Sequence, residues 1–357
     1  MSHQEETEIP EEEKEELLEE VPYQYKITSY GADYPVDSLV KRIQEGDIII
    51  PSFQRGYVWN ATEASRFIES LLLGLPVPGI FFSKEQDSKK LLVIDGQQRL
   101  RTLQYFYEGI FEPTGKKFAI TLSDSKFSGQ TYKSLSEDDR RILDDSIIHA
   151  TIVKQDEPSE DQSSIYKIFE RLNTSGVALS PQEIRASIYQ GEFNDLLKQL
   201  NAYPSWRSLF GPINKRMRDQ EMILRFFALH FAGELYDRPM KEFLNKFMGM
   251  NRHLKFYKEP QLKMVFETPV QTIHTHIGTE AFRRSGAFNA AVFDSIMIGV
   301  ARRLEHGPIT DSAGMRERHS DLLKDETFEE LTTKSTADKE VVKARLGLAT
   351  EAFADVR

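Results

Sequence analysis

Residues 95–99, in the order Asp-Gly-Gln-Gln-Arg, have the types and spacing best suited to chemistry in this chain. They follow a short apolar run and open a helical pattern, which predicts a turn from a strand directly into a helix. At such a turn, backbone N–H groups and the positive end of the helix dipole face the space beyond the strand. Gly96 allows the main chain to approach a ligand closely, and Arg99 offers a forked guanidinium to phosphate oxygens. Gln97 and Gln98 can donate to oxygens or orient a water. These five residues, the DGQQR motif, predict an anion site.

Asp95 is the residue of the motif that does not suit a phosphate, because a carboxylate and a phosphate repel each other unless a cation lies between them. We therefore expect Mg²⁺ at Asp95. Gln98 would place a water and Arg99 would neutralise phosphate, so these three residues are the catalytic candidates. A structural interpretation stays open, since Asp and Gly are also ordinary residues at a strand–helix turn that binds nothing.

Two further polar segments suit the same pocket. Residues 51–59 place Gln54 and Arg55 beside a glycine, and residues 169–176 end a helical pattern at Asn173. We expect Gln54 and Arg55 to complete the phosphate site, and Asn173 to face a metal or phosphate. The alternatives are that the aromatic residues of the first segment belong to the core and that Asn173 is a helix C-cap.

Hydrophobic periodicity predicts the elements that must position these residues. Helices are expected over residues 36–43, 61–73, 97–107, 165–172, 222–231, 240–248 and 288–304. Strands are expected over residues 48–50, 80–82, 91–94, 118–122 and 149–153, the second and third forming a hairpin, with a loop over 154–164. Asn60 with Glu63, and Ser180 with Glu183, have the spacing of capping boxes. The pattern indicates an α+β protein with an α/β front half and an all-α back half.

Charge and composition restrict the class of protein. Of the formal net charge of −10, residues 1–20 contribute ten Glu and one Lys, so the rest of the 357-residue chain is nearly neutral. A remote acidic tail does not prevent a local Arg cluster from binding phosphate. The chain has no Cys, which excludes disulfide frameworks, thiolate zinc sites and cysteine nucleophiles. The longest apolar run, Leu71–Phe82, is too short to span a membrane. With an acidic start unlike a secretory signal, we expect a cytoplasmic protein without membrane contact.

Three ordered segments carry a resemblance to a known family. They are "IPSFQRGYVW" at residues 50–59, "VIDGQQRL" at residues 93–100 and "FERLNTSGVALSPQEIR" at residues 169–185. Together they resemble the domain of unknown function 262, the N-terminal, ParB/sulfiredoxin-like domain of GmrSD-type and related modification-dependent restriction systems. The resemblance spans about Tyr34 to Arg185, and the helical segments after it are also similar to those of such proteins.

The resemblance implies a ParB-like fold whose DGQQR motif binds, and often hydrolyses, a nucleoside triphosphate as part of a prokaryotic antiphage defence system. Activity would be coupled to recognition of modified phage DNA. The motif residues would contact the nucleotide, with Gln54 and Arg55 at its phosphates and Asn173 opposite. Many relatives also carry an HNH-type nuclease domain with a His-centred metal core, and we find no segment of that pattern here. We therefore expect a nuclease or effector on another chain. The alternative is a non-catalytic, nucleotide-gated subunit that recognises DNA or regulates the effector.

These observations predict four regions. They are a disordered acidic tail at residues 1–22, a ParB-like nucleotide-binding domain at 23–190, a helical domain at 191–306, and a polar, partly helical segment at 307–357. For the tail, partner binding or DNA mimicry is the alternative to simple solvation. A homo-oligomer stays open.

The most basic stretch of the helical half surrounds a Gly-Pro loop. It contains Arg207, Lys215, Arg216 and Arg218. Phosphate contacts to nucleic acid are its functional interpretation. An ordinary charged surface beside Asp219 and Glu221 is the alternative.

Overall fold

The computed structural model describes residues 26–51, 57–85, 88–157, 163–172, 179–284 and 286–357. The chain divides into two compact units, with the boundary between residues 179 and 180. The predicted acidic tail, residues 1–22, lies outside the described ranges. Within those ranges, no helix combines the length and the apolarity needed to cross a bilayer. Strands occur mainly before residue 158 and helices dominate from residue 181 onward, which confirms the α+β class.

The first unit, the α/β unit, consists of strands and five helices in the described residues. Its helices are α1 (Val36–Gln44), α2 (Ala61–Leu72), α3 (Gln97–Glu108), α4 (Glu137–Asp145) and α5 (Ser163–Leu172). Its strands are β1 (Lys26–Pro35), β2 (Ile48–Ile49), β3 (Ile80–Lys84), β4 (Leu91–Asp95), β5 (Ile110–Phe111), β6 (Lys116–Lys117) and β7 (Ile147–Glu157). A short 3-10 turn covers Tyr132–Ser134.

Five of these strands form one mixed sheet in the order β1-β7-β3-β4-β2. The β1–β7 and β3–β4 pairs are antiparallel, whereas β3–β7 and β2–β4 are parallel. The predicted hairpin is therefore the β3–β4 pair. β2 pairs only with Leu91 and Leu92 at the start of β4, and the end of β4 pairs with β3. β5 and β6 form a separate small hairpin.

The core of this unit lies between the sheet and the helices α1 to α4. Leu91 and Val93 of β4 belong to it. Their neighbours Leu92 and Ile94 are also buried, and because successive side chains of a strand point to opposite faces, these two face the other side of the sheet. Helix α5 contacts β4 and β7. Burial on both faces explains why β4 is a continuous apolar run.

Two strand expectations differ from the structure, and one strand of the five-stranded sheet was not expected. The strand predicted at residues 118–122 is wrong: Phe118 and Ile120 are buried, but Ile120 donates its N–H to Gln130 (2.9 Å) and accepts from Gly129 (2.8 Å) in a loop that closes on itself. The strand predicted at 149–153 extends in both directions as β7 and takes up part of the predicted loop. Strand β1 was not predicted at all.

The second unit, the helical unit, has ten helices in its described residues. They are α6 (Pro181–Ile188), α7 (Glu192–Asn201), α8 (Pro204–Phe210), α9 (Arg218–Ala232), α10 (Met240–Asn251), α11 (Glu259–His276), α12 (Ala290–Leu304), α13 (Ser312–Lys324), α14 (Glu326–Leu331) and α15 (Lys339–Phe353). Two-residue strands β8 (Arg283–Arg284) and β9 (Ala287–Phe288) pair before α12, and a 3-10 turn covers Gly233–Leu235. Residues 307–357, predicted to be partly helical, contain the last three helices.

Helix α12 is the centre of the helical unit, since its residues from Ala291 to Ala301 are buried. It packs against α9, α11 and α15. At Gly299 a Cβ atom would lie 2.6 Å from the carbonyl oxygen of Ala349. A glycine is therefore required for α12 and α15 to approach this closely.

Candidate functional site

The DGQQR motif joins β4 to α3 through a single residue, as predicted. Gly96 lies between them with φ 101° and ψ 10°, in the left-handed region. A Cβ atom there would lie 3.0 Å from Cγ1 of Ile80 and 3.3 Å from Nη2 of Arg99. Both the backbone conformation and the surrounding space therefore require glycine at this position.

The start of α3 presents backbone donors without a side-chain cap. Gly96 has no side chain that could accept a hydrogen bond, and the first helical bond runs from the Leu100 N–H to the Gly96 carbonyl at 3.0 Å. The amides of Gln98 and Arg99 precede that bond, so no carbonyl within the helix accepts a hydrogen bond from them. Together with the positive end of the dipole of this twelve-residue helix, they favour an anion beyond the end of β4.

Arg99 and Asp95 form an ion pair across the motif. The Nη2 atom of Arg99 lies 2.8 Å from Oδ2 of Asp95, and the two side chains are 13% and 44% exposed. The Arg99 guanidinium thus occupies the place beside Asp95 that the sequence assigns to a metal cation. Its Nε is buried with no acceptor among the described residues. An arriving phosphate would compete with Asp95 for this guanidinium.

Gln98 ties α3 to the segment that precedes α2. Its Oε1 accepts hydrogen bonds from the backbone amides of Val58 (3.0 Å) and Trp59 (3.4 Å). One turn later, Thr102 donates to the Gln98 carbonyl (2.7 Å) and bonds the hydroxyl of Tyr57 (2.7 Å). Burial raises the pKa of Tyr57 to about 12, so this hydroxyl keeps its proton at neutral pH. Gln97 is buried.

Asp95 could offer one carboxylate to a metal ion, and in this structure that carboxylate forms an ion pair with Arg99. In the described part of the chain, no three His, Asp or Glu side chains come together as a set that could hold an ion. A Mg²⁺ ion at Asp95 would therefore depend on that single carboxylate together with the oxygens of a bound phosphate.

Comparison with known proteins gives the family. Residues 36–190 match the family model of the GmrSD restriction endonuclease N-terminal domain. These residues belong to that family. The match contains the whole DGQQR motif and all strands of the five-stranded sheet except β1. The domain relates the chain to restriction systems.

A second similarity is to an uncharacterized protein of Methanocaldococcus jannaschii. The two are 31% identical over a segment that covers 19% of this chain and 16% of the relative. The aligned segment thus spans about a sixth of the relative's length, and it carries no functional statement of its own.

Several residues predicted to complete the GmrSD-type site lie outside the described ranges. These are Gln54, Arg55 and Asn173. The described residues that directly follow the first two, Tyr57 and Val58, are bonded to α3. Helix α5, which precedes Asn173, contacts β4.

The four basic residues of the helical unit have different surroundings. Arg207 is bonded to the buried carboxylate of Asp219 at 2.9 Å. Arg216 lies 3.0 Å from Glu183. Lys215 is exposed, and Arg218 lines a cavity. Arg207 and Arg216 are therefore paired with carboxylates of their own unit.

Sequence reasoning did not identify two features of the DGQQR site. The Asp95–Arg99 pair has a spacing of four residues, which is a usable signal for an ion pair around a helix start. The attachment of Tyr57 and Val58 to α3 joins residues 40 or more positions apart, and no local pattern could reveal it.

Proposed function

We propose that the GmrSD-type domain binds the phosphates of a nucleoside triphosphate at the DGQQR motif and hydrolyses it, as part of a restriction system directed at phage DNA. The observation that carries this proposal is the glycine-started, uncapped N-terminus of α3 beside a guanidinium. Preorganised donors of this kind stabilise the charge that develops in phosphoryl transfer without a covalent intermediate.

Each residue of the motif has a task under this proposal. The amides after Gly96 and the guanidinium of Arg99 bind phosphate oxygens. Transfer of Arg99 from Asp95 to a phosphate leaves the Asp95 carboxylate available to Mg²⁺, which when bound would supply further neutralising charge. Gln98 holds the segment at Val58 in place, and its amide nitrogen remains able to donate to a phosphate oxygen or a water.

The test is nucleotide binding by calorimetry to the full chain, with EDTA, for Arg99→Gln and Arg101→Gln. Loss of a charged hydrogen-bond donor costs about 1.5–3 kcal/mol, which corresponds to roughly 10- to 100-fold weaker binding for Arg99→Gln. Arg101 is the matched control, because a residue two positions along the same helix points in another direction. Equal losses in both variants would show that the effect is general electrostatics rather than contact.

Hydrolysis is tested separately, by phosphate release from ATP, GTP, CTP and UTP in Mg²⁺, with and without DNA. Asp95→Asn should abolish the Mg²⁺-dependent part of binding and turnover, yet bind nucleotide in EDTA at least as tightly as the unaltered chain, because Arg99 is then unpaired. Equal loss of binding with and without Mg²⁺ would contradict a metal role for Asp95.

A second function, a nucleotide-gated switch without turnover, is favoured by the bonds of Gln98. A ligand that shifts the start of α3 also shifts the acceptor of the Val58 and Trp59 amides, so binding would be transmitted to the segment before α2. Its effector nuclease and modified DNA would then be engaged through another surface or chain. Clear nucleotide binding with no phosphate release for any of the four nucleotides would support this function over hydrolysis.

A further inference from the structure

A short connection in the helical unit, residues 252–258 between α10 and α11, is rich in cations. It reads Arg-His-Leu-Lys-Phe-Tyr-Lys, with three Lys or Arg residues and no carboxylate. The chain after residue 20 is nearly neutral as a whole, so this stretch, the α10–α11 connection, is a local concentration of positive charge. A local positive surface attracts a polyanion even when the net charge of the protein is negative.

Two of these cations are exposed and have no carboxylate partner in the part of the chain that the structure describes. They are Lys255 and Lys258. The carboxylate that follows them, Glu259 at the start of α11, is bonded to Lys263 at 2.6 Å. Both ammonium groups are therefore available to an anion from outside the protein.

The ring of Phe256 lies between these lysines in the sequence and is 69% exposed. Of the phenylalanines that the structure describes, it alone is exposed, and the others are buried or half-buried. Phenylalanine normally stabilises a protein because its large ring is buried. The exposed ring of Phe256 contributes little of this kind to the helical unit, so its apolar face is open to a ligand.

The first part of the connection is bonded to the segment between α6 and α7. The Arg252 side chain donates to the carbonyl of Gln190, and the Arg252 carbonyl accepts from the Phe193 N–H at 3.2 Å. Next to it, Nδ1 of His253 lies 2.9 Å from a carboxylate oxygen of Glu192. These contacts fix the place where the connection leaves α10.

The rest of the connection is fixed on both sides of the exposed Lys255–Phe256 pair. Leu254 has a φ of 50°, which is uncommon for a residue other than glycine, and its N–H donates to the Asn251 carbonyl at 2.9 Å. On the other side, the ring of Tyr257 stacks on Phe231 of α9 with a centroid distance of 4.0 Å. A loop held in this way loses little conformational entropy when it binds a ligand.

We propose that the α10–α11 connection binds single-stranded nucleic acid. The Phe256 ring would stack on an unpaired base, and Lys255 and Lys258 would contact phosphates beside it, the combination by which proteins hold single strands. A duplex hides the faces of its bases in the stack. A membrane surface takes up several apolar side chains, whereas Phe256 is the only exposed apolar residue of the connection. The surface belongs to the helical unit, which does not contain the DGQQR motif.

The test is fluorescence anisotropy of a labelled oligothymidylate with the full chain, in EDTA and without nucleotide. We expect saturable binding that weakens steeply as the salt concentration rises, and at least about tenfold weaker binding of a duplex of the same length. No binding at low salt, or a duplex that binds as tightly as the single strand, would overturn the proposal. Because nucleotide is absent and the DGQQR motif is intact, such a failure would leave the nucleotide proposal unaffected.

The two lysines are tested through the salt dependence. Each phosphate contact in a single strand contributes about 0.7 to the slope of log affinity against log salt concentration, so Lys255→Gln with Lys258→Gln should reduce that slope by about 1.4. The matched control is Lys324→Gln with Lys343→Gln, which removes the same charge from exposed positions on α13 and α15. We expect the control to keep the slope of the parent. Equal reductions in both double variants would show general electrostatics in place of contact and would refute the site.

The ring is tested by two substitutions at one position. Phe256→Ala should weaken oligothymidylate about 5- to 150-fold, the usual contribution of one stacked base, with the salt slope unchanged. Phe256→Leu should weaken it to a similar extent, because leucine is apolar but has no flat aromatic face. A Phe256→Leu variant that binds as the parent does would refute stacking. Binding to phosphatidylserine vesicles in place of the oligonucleotide would assign the connection to a membrane surface and overturn the proposal.

Discussion

One buried carboxylate in the helical unit neutralises two guanidinium groups, and its removal is the most severe single change that we expect. Asp294 of α12 contacts Arg225 of α9 at 2.6 Å and Arg345 of α15 at 3.0 Å. Asp294 and Arg345 are fully buried, and Arg225 is 4% exposed. Arg345 also donates to the carbonyl of Thr336. Three helices are thus joined at one carboxylate.

The variant Asp294→Asn keeps the size of the side chain but removes the carboxylate charge that contacts two buried guanidinium groups. Breaking a buried pair by removal of one partner costs about 3–5 kcal/mol, so we expect a loss at the upper end of that range. Arg345→Met should cost less, about 1–2 kcal/mol, because it removes one guanidinium and leaves Arg225 paired with Asp294. The test is which variant loses more free energy of unfolding, and we expect the larger loss in Asp294→Asn.

The chain has two tryptophans, one in each unit, so the free energy of unfolding can be measured for one unit at a time. Trp206 is fully buried in the helical unit, and Trp59 lies in the α/β unit. In a Trp59→Phe background, urea unfolding followed by Trp206 fluorescence reports the helical unit alone. Asp355→Asn, a change at an exposed carboxylate of the same unit, should stay within about 0.5 kcal/mol. If Arg345→Met destabilises more than Asp294→Asn, the carboxylate is not the counterion that the geometry indicates.

Two further predictions concern the motif and the pH dependence of stability. Gly96→Ala should lower the stability of the α/β unit by about 1–3 kcal/mol through backbone strain and weaken nucleotide binding; unaltered melting temperature and affinity would show that the turn adapts. Burial lowers the pKa of His319, whose Nε2 bonds the Ala281 carbonyl at 2.9 Å. The unfolded chain then binds a proton more readily than the folded one, so the stability present above the ordinary pKa of about 6.5 is lost as the pH falls below it. His319→Gln should reduce the pH dependence of the free energy of unfolding between about pH 7 and pH 5, measured by urea unfolding. An identical pH dependence in both proteins would exclude His319 as its source.

The local part of the fold could be predicted from the sequence because its signals are local. The capping boxes at Asn60 and Ser180 are present, and the turn at Gly96 follows from an apolar run that meets a helical pattern. Strand β1 could not be found in this way. Its residues 27–31 are exposed and show no alternation of burial; its stabilisation comes from a long antiparallel pairing with β7, more than 100 positions away.

The candidate site likewise has some features that the local sequence encodes and others that it does not. The glycine turn and its arginine are encoded within five residues, whereas the hydrogen bond from the Val58 amide to Gln98 depends on tertiary packing. The segment wrongly predicted as a strand, residues 118–122, has the alternating burial of a strand but no partner strand, since the backbone of Ile120 bonds to Gly129 and Gln130 in a loop. Hydrophobic periodicity indicates which side chains are buried, but it does not indicate which backbone segments pair with each other in a sheet.

The close approach of α12 and α15 at Gly299 has a consequence for biosynthesis. The central helix of the helical unit packs against a segment, residues 339–353, that the ribosome makes some 40 residues later. Until that segment emerges, α12 lacks the surface that covers it, and Asp294 lacks one of its two arginines. The α/β unit has all of its described strands by residue 157, so it can fold during translation. Nascent chains halted before residue 339 should therefore show a protease-resistant α/β unit and a digestible helical one.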